Sequence, residues 1–342
     1  MSFKIINPLP SPIELAQEYP LSATGYRYKK ERDQDIRNIL SGNSSQFLVI
    51  VGPCSADNTD ALLDYTSRLA ALQEIVREKM LLVPRLYSSK PRTLGIGYKG
   101  LLHQPDPQQK DNIFQGLIAT RKLHLKVLEQ TGLTGADEIL YPDNWEYLSD
   151  IVSYIAVGAR SVEDQFHRFT ASGCDIPCGM KNPTSGNLAS MTHAIFAAQQ
   201  AQNFIYRGNE VETTGNLFAH GILRGMDSAT GEKIPNYHRE SILYVAKLYE
   251  QQKIMNPALI IDTNHSNSNK KFMEQIRISK DIVTLRNQCT TSHQLIKGLM
   301  IESYLEDGSQ PEWGTTYGQS ITDPCLGWMK TQQLLLELAE LL

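Results

Sequence analysis

Short apolar runs rich in β-branched residues recur along the chain: FLVIV (47–51), LLVPRLY (81–87), EILY (138–141), YIAVGA (154–159), CGMK (178–181), AHGILR (219–224), ALIIDT (258–263) and GLMIESY (298–304). An unbroken apolar run, as opposed to an alternating one, suits a strand buried on both faces, and such strands belong to parallel sheets. Between most of these runs, apolar residues return at spacings of three and four, the period of one helix face. The helix-like stretches are 60–79, 111–130, 187–200, 239–252 and 270–285, with a last one over 331–342. Strands nearly all followed by helices predict an α/β fold, and eight such units fit a (β/α)8 TIM barrel. A doubly wound open sheet is the other candidate, but no glycine-rich phosphate turn follows the first strand, where a dinucleotide fold needs one.

Two segments fall outside the alternation. Residues 1–45 hold a proline-broken start and a helix over 29–40, and are expected to form an N-terminal extension to a barrel over 46–342. The stretch 203–218 reads as an extra β-hairpin before strand 6. Inside the second strand, Pro84 removes a ladder donor next to Arg85, which predicts a local distortion there.

Composition narrows the partners. The 342 residues carry a net charge of −4, so no global basic field points to nucleic acid. No apolar run approaches the ~18 residues of a membrane span, and prolines and acids occupy the start, where a signal peptide needs an apolar core. The expected setting is cytoplasmic, with neither a nucleic-acid nor a membrane partner. Five cysteines without regular spacing are not a disulfide framework and are expected as reduced thiols.

Candidate chemistry collects at the C-terminal strand ends, which a barrel brings to one mouth. One set is cationic: Arg85, Lys90, Arg92, Arg160, Lys181 and Arg224. Six cations together in an acidic chain would repel one another unless anions bind among them, and arginine offers a two-pronged fork for phosphate or carboxylate. They are more than one phosphate needs and suit two anionic groups. The other set is Cys54, His265, Glu302 and Asp323. Mixed sulfur, nitrogen and oxygen donors suit Mn, Fe, Co or Zn and suit Mg or Ca poorly. By themselves these four residues leave two readings open. They are ligands of one divalent metal ion, or a buried thiol, a loop histidine and two carboxylates that pair with the cations.

The motifs that carry these residues occur in order: GPCS (52–55), KPRT (90–93), GAR (158–160), KNPTSG (181–186), ILRG (222–225), DTNHSNS (262–268), ESYLEDG (302–308) and GQSITDPCLGW (318–328). From about residue 30 to the C-terminus they resemble class I 3-deoxy-D-arabino-heptulosonate 7-phosphate (DAHP) synthase. The resemblance implies a metal-dependent TIM-barrel transferase that condenses phosphoenolpyruvate with erythrose 4-phosphate. That reaction is the first step of the shikimate pathway to chorismate and the aromatic amino acids. It implies metal ligation by Cys54, His265, Glu302 and Asp323, and phosphoenolpyruvate binding by Arg85, Ala159, Arg160, Lys181 and Arg224. Arg92 and Thr93, with Lys90, fall to the aldose phosphate. Lys90, Lys181 and Glu138 are the expected catalytic residues, with Glu138 orienting or deprotonating the attacking water.

By the family's habit, the N-terminal extension and the hairpin serve regulation by an aromatic amino acid and subunit assembly, in a homodimer or homotetramer. One departure flanks the aldose-phosphate site. The chain reads Tyr87-Ser88-Ser89 before Lys90, where some family members carry a glutamate. It leaves room for a homologue tuned to a modified aldose phosphate in secondary metabolism; a non-catalytic ligand-binding barrel is the remaining alternative.

Overall fold

The computed structural model describes residues 2–92 and 94–342. Its strands are β1 (Phe47–Gly52), β2 (Met80–Pro84), β3 (Ala136–Ile139), β4 (Tyr154–Val157), β5 (Cys178–Lys181), β6 (Asn203–Tyr206), β7 (Asn209–Glu212), β8 (Ala219–Leu223), β9 (Met226–Asp227), β10 (Lys233–Ile234), β11 (Leu259–Asp262) and β12 (Ile296–Glu302). Eight of them form one parallel sheet in the order β2-β1-β12-β11-β8-β5-β4-β3. A bridge between Arg85 and Ala136 joins its two edges and closes the barrel. The expected extra hairpin is β6–β7, antiparallel and placed before the sixth barrel strand, β8. A second hairpin, β9–β10, was not expected from the sequence.

The helices are α1 (Pro12–Glu18), α2 (Ala23–Ser41), α3 (Thr59–Val76), α4 (Ile113–Thr131), α5 (Gln165–Ser172), α6 (Leu188–Gln199), α7 (Arg239–Gln252), α8 (Glu274–Gln288), α9 (Thr290–Leu295) and α10 (Trp328–Leu341). None among the described residues is long and apolar enough to cross a membrane. The stretch read as a proline-broken start folds as α1, with Pro12 in the first turn, where a missing N–H costs nothing. Ser11 and Glu14 close a reciprocal capping box around that turn. The helix expected over 29–40 is the second half of α2, which Ser22 caps at its start and left-handed Gly42 stops.

Three expectations need correction. The third strand was placed at 138–141 but runs over Ala136–Ile139. Pro142 starts a 3-10 turn, Pro142–Tyr147, that pulls Leu140 and Tyr141 out of the sheet. Glu138 therefore stands near the end of its strand, not at its start. The helix placed at 270–285 begins at Glu274, because Asn269 and Lys270 have positive φ and stay in the preceding loop. The last helix begins at Trp328, three residues before the expected 331.

Inside the barrel, Leu48, Ile50, Leu81, Val83, Ala136, Tyr154, Ala156, Ile222, Ile260 and Met300 form one cluster with Ile36, Ile39 and Leu40 of α2. That helix thus plugs the end where the strands begin and leaves the opposite end open for a site. The barrel wall is least paired between β2 and β3, the two edges of the sheet. Arg85 N–H points to Val51 of β1 and Leu86 N–H to Ala136 of β3. Alternation sends position 84 toward β3 as well, and there a proline has no hydrogen to give. The distortion expected at Pro84 is this seam, which a single backbone bridge holds.

Candidate active site

The mouth encloses a cavity of about 540 Å³. Arg85, Lys90, Arg92, Glu138, Ala159, Arg160, Lys181, Arg224, Cys54, His265, Glu302 and Asp323 all line it. Of the residues expected at the site, Thr93 alone lies outside the described residues.

Each group arrives through its own strand. Arg85 leaves β2 beside Glu302 at the end of β12, with 3.3 Å between them and each 1% exposed. The guanidinium also lies over the Tyr87 ring, 4.0 Å from its centre. Lys181 ends β5 and donates to Glu138 of β3 at 2.9 Å. Gly158 keeps that pair possible, since a Cβ there would come within 2.7 Å of the Glu138 carboxylate. Burial alone would raise the Glu138 pKa, but Lys181, Arg85 and Lys90 outweigh it and hold the carboxyl below its ordinary value. Glu138 is therefore ionised and a weak base, better suited to orienting a water than to taking its proton.

A network of buried asparagines fixes Arg224. Asn182 accepts from the Arg224 backbone and from Asn236, Asn236 accepts from Gly225, and Asn267 accepts from the Asn236 backbone. Gly225 takes a φ of 76° against the Asn267 backbone, a place only glycine fits. Three buried polar atoms on the cavity wall, Arg85 Nη1, Arg224 Nη1 and Ser89 Oγ, have no hydrogen-bond partner within the protein. Buried donors without partners are costly, so their presence here suits a site made for an anionic ligand.

Beside Arg85 and Lys90 stand Cys54, Glu302 and Asp323, with one donor atom from each within 4.8 Å of the others. His265 joins them by one edge of its ring: Nε2 lies 3.7 Å from Glu302, while Nδ1 lies 2.8 Å from Asp262. Its φ of 47° is unusual for a non-glycine residue, and such strain persists where the surroundings enforce it. Asp262 faces the ring nitrogen turned away from the cluster, the arrangement in which a carboxylate orients a metal-binding histidine. Burial works against the Asp262 charge, yet His265, Lys181 and Arg85 hold its pKa well below the ordinary range. Asp323 is held low as well, by Lys90, His265 and Lys270 against its burial. Burial pushes the Cys54 thiol up to about 12, so an added cation is what would make it a thiolate. The donor set of one sulfur, one imidazole and two carboxylates fits a divalent transition ion.

The sequence reading missed Lys270, which donates to Asp323 at 2.9 Å from the loop before α8. A helix drawn from 270 concealed it; two adjacent lysines after a polar run were the available signal. It also missed Asp227 and Lys233, an ion pair on the second hairpin at the cavity wall.

Comparison with known proteins identifies the family. The model of the DAHP synthetase I family matches residues 18–336. The chain belongs to that family. Within it, the chain is similar to the Trp-sensitive phospho-2-dehydro-3-deoxyheptonate aldolase of Escherichia coli K12, 36% identical over 343 aligned residues that cover 98% of this chain and 95% of the relative. The Tyr-sensitive aldolase of the same organism is 36% identical over 339 residues, with coverage of 96% and 92%. A solved structure of phospho-2-dehydro-3-deoxyheptonate aldolase from Francisella tularensis SCHU S4 superposes with a TM-score of 0.92 at 32% identity, covering 99% of this chain and 98% of that one. The barrel is therefore that of a DAHP synthetase I family member.

Proposed function

We propose that the protein is a 3-deoxy-7-phosphoheptulonate synthase, joining phosphoenolpyruvate to D-erythrose 4-phosphate with release of phosphate. One observation carries the reading. A single cavity gathers six cations from strand ends and the loops beyond them together with a Cys/His/Glu/Asp cluster. Phosphoenolpyruvate brings a carboxylate and a phosphate, and erythrose 4-phosphate brings a second phosphate, which accounts for the surplus of cations. Arg85, Arg160, Lys181 and Arg224, with the Ala159 backbone, hold phosphoenolpyruvate. Arg92 and Thr93 hold the aldose phosphate.

A divalent ion (Mn, Fe, Co or Zn) held by Cys54, His265, Glu302 and Asp323 supplies Lewis-acid polarisation of the aldehyde when bound. Lys90 Nζ sits 2.7 Å from Cys54 Sγ and 2.9 Å from Asp323. Burial works against its charge, but Cys54, Asp323 and Glu302 hold its pKa above the ordinary value, so it stands as a cation to receive the oxygen charge. The enol carbon of phosphoenolpyruvate attacks the aldehyde carbon, and positive charge builds at its C2. Water, oriented by the Glu138–Lys181 pair, adds at C2. The hemiketal then expels phosphate by C–O cleavage. The test follows phosphoenolpyruvate absorbance with erythrose 4-phosphate and then with other aldose phosphates. Turnover with erythrose 4-phosphate fastest supports the reading. Turnover only with a different aldose phosphate replaces it with the modified-substrate synthase, a reading that Ser89, small and on the cavity wall, favours. Loss of absorbance with none of them refutes both.

Regulation and assembly are assigned to residues 1–45 and the β6–β7 hairpin. The two meet at the 3-10 turn that follows β3. Tyr147 of that turn donates to the Pro10 carbonyl, and Arg207 of the hairpin pairs with Glu146. Phe166 and Phe169 of α5 pack against Phe204 of the hairpin. An effector bound there acts on the turn, and through it on β3, which carries Glu138. The apolar Phe3, Ile5 and Ile6 are at least 85% exposed in one chain and are the surface a second copy covers in a homodimer or homotetramer. Activity measured with Phe, Tyr and Trp in turn identifies the effector, and a response to none removes the regulatory role.

A further inference from the structure

We propose that Asp137 is a positioning residue that closes the β2–β3 seam and thereby sets Lys90 and Glu138. The proposal rests on the roles given above to those two residues. Along β2, alternate N–H groups face β3. Leu82 N–H goes to the Gln73 side chain at 2.6 Å, the donor is missing at Pro84, and Leu86 N–H reaches the Ala136 carbonyl. Two residues on, Ser88 N–H again meets a side chain, donating to Asp137 Oδ1 at 2.8 Å. The Asp137 carboxylate thus takes the place of a strand carbonyl at the point where the backbone ladder has ended.

It does more than replace one acceptor. The Ser88 hydroxyl donates to Oδ2 at 2.6 Å, and Oδ1 also accepts the Glu138 N–H at 2.7 Å. Asp137 is 4% exposed and Ser88 fully buried, so water does not compete for these bonds. His124 of α4 brings Nε2 to 3.6 Å from Oδ2, on the side of the strand opposite the cavity. Successive side chains of β3 alternate: Ala136 and Glu138 turn inward and Asp137 turns out toward α4. The same carboxylate therefore grips the chain two residues before Lys90 and one residue before Glu138, and touches no substrate.

The 88–102 loop is tied to itself where Lys90 N–H bonds the Lys99 carbonyl and Leu102 N–H bonds the Ser88 carbonyl. At its far end Tyr98 donates to the Ala56 carbonyl at 2.6 Å and to Glu312 at 2.5 Å. Asp137 is its tie to β3. Without Asp137, the loop keeps the other bonds but loses its attachment to β3. Lys90 then loses its fixed distance to Cys54 and Asp323.

The experiment uses Asp137→Ala, Asp137→Asn and Ser88→Ala beside the wild type. Steady-state kinetics are measured with both substrates, and hydrogen exchange is followed over residues 86–104. For Asp137→Ala, kcat is expected to fall about tenfold and KM for erythrose 4-phosphate to rise about tenfold, with KM for phosphoenolpyruvate within about twofold of wild type. Asp137→Asn keeps a carbonyl for the Ser88 amide and should return to within about threefold, with Ser88→Ala in between. Exchange should rise in 86–104 and not in the remaining barrel strands. That readout needs no turnover, so it tests the seam even if the wild type proves inactive with these substrates, an outcome that would sink the functional reading alone. Wild-type kinetics in Asp137→Ala, a loss of activity matching only the unfolded fraction, or unchanged exchange in 86–104 overturns the proposal. Should Asp137→Ala fail to fold, Asp137→Asn and Ser88→Ala are combined; less-than-additive losses support the shared contact and additive losses refute it.

Discussion

The two ends of the barrel interior bury polar groups to the same degree and treat them in opposite ways. At the mouth, Arg85 and Glu302 are each 1% exposed and paired, and Glu138, Asp262 and Asp323 all have lowered pKa values. At the floor, His220 of β8 is also 1% exposed, but burial pulls its pKa down to about 4. Its Nδ1 faces the Phe218 carbonyl and so carries the proton, leaving Nε2 to accept from Tyr154 at 2.8 Å. Burial does not by itself decide protonation. The number of opposite charges within reach does. Glu138, Glu302 and Asp323 at the mouth each pair with a cation, whereas among the described residues no charge acts on His220 at the floor, which Ile36, Ile39 and Leu40 seal. The mouth is therefore built for ligands and the floor for stability, and the two should fail separately.

The strongest test of that separation is removal of metal. Treatment with a chelator should lower activity by about 10³-fold or more, and Mn or Zn should restore it. At a hundredfold excess over its Kd, the restored ion should add about 2.7 kcal/mol of stability. Full activity after exhaustive chelation would show that the cluster holds no essential ion. The floor is tested next, by acid. The folded pKa of His220 lies below its unfolded value of 6.5. Its contribution is thus fully present above pH 6.5 and is lost as pH falls through about 4, because the unfolded chain binds the proton first. A shift of this size is worth about 3 kcal/mol. Asp57, raised by burial to about 6, acts with the opposite sign in part of that window, so the measurement is the difference between wild type and His220→Gln. The mouth carboxylates lose their contributions at lower pH, as their lowered pKa values require. Identical pH–stability curves for the two proteins would remove the floor from the account.

Legibility in the sequence followed the same division. The strand-end residues were readable because an apolar run marks each strand and the next charged residue marks its end, as with Lys181 after CGM and Arg224 after GIL. Single metal donors were not readable. His265 looked like any loop histidine until Cys54, Glu302 and Asp323 stood near it, and that nearness spans over 200 residues of chain. In the polar run that contains it, Asn264 donates to Glu302 at 2.5 Å, and Asn267 donates to the Leu223 and Asp262 carbonyls, so its small polar residues build the site. Asp137 was passed over because a strand placed two residues late hid which way it points. Lys270 was lost to a helix boundary, the least certain feature of any periodic pattern.

Within the mouth, buried strand-end groups should matter more than rim groups. Glu138→Gln removes the carboxylate that pairs Lys181, and turnover should fall by about 10²-fold with KM for phosphoenolpyruvate little changed. Wild-type turnover in that variant would take the water-orienting role from Glu138. A smaller effect is expected at the rim. Arg92 donates to the Tyr98 carbonyl at 2.8 Å and lies 3.7 Å from Glu312, with its side chain 26% exposed. Such a pair is screened by water and contributes at most about 1 kcal/mol to stability. Arg92→Ala should therefore leave the melting temperature nearly unchanged while raising KM for erythrose 4-phosphate about tenfold. The wild-type KM should itself rise with salt, since a phosphate held by a partly exposed guanidinium is screened over a Debye length of about 8 Å at physiological ionic strength. An Arg92 variant that melts early and keeps its KM would place this residue with the framework, and the rim would no longer differ from the floor.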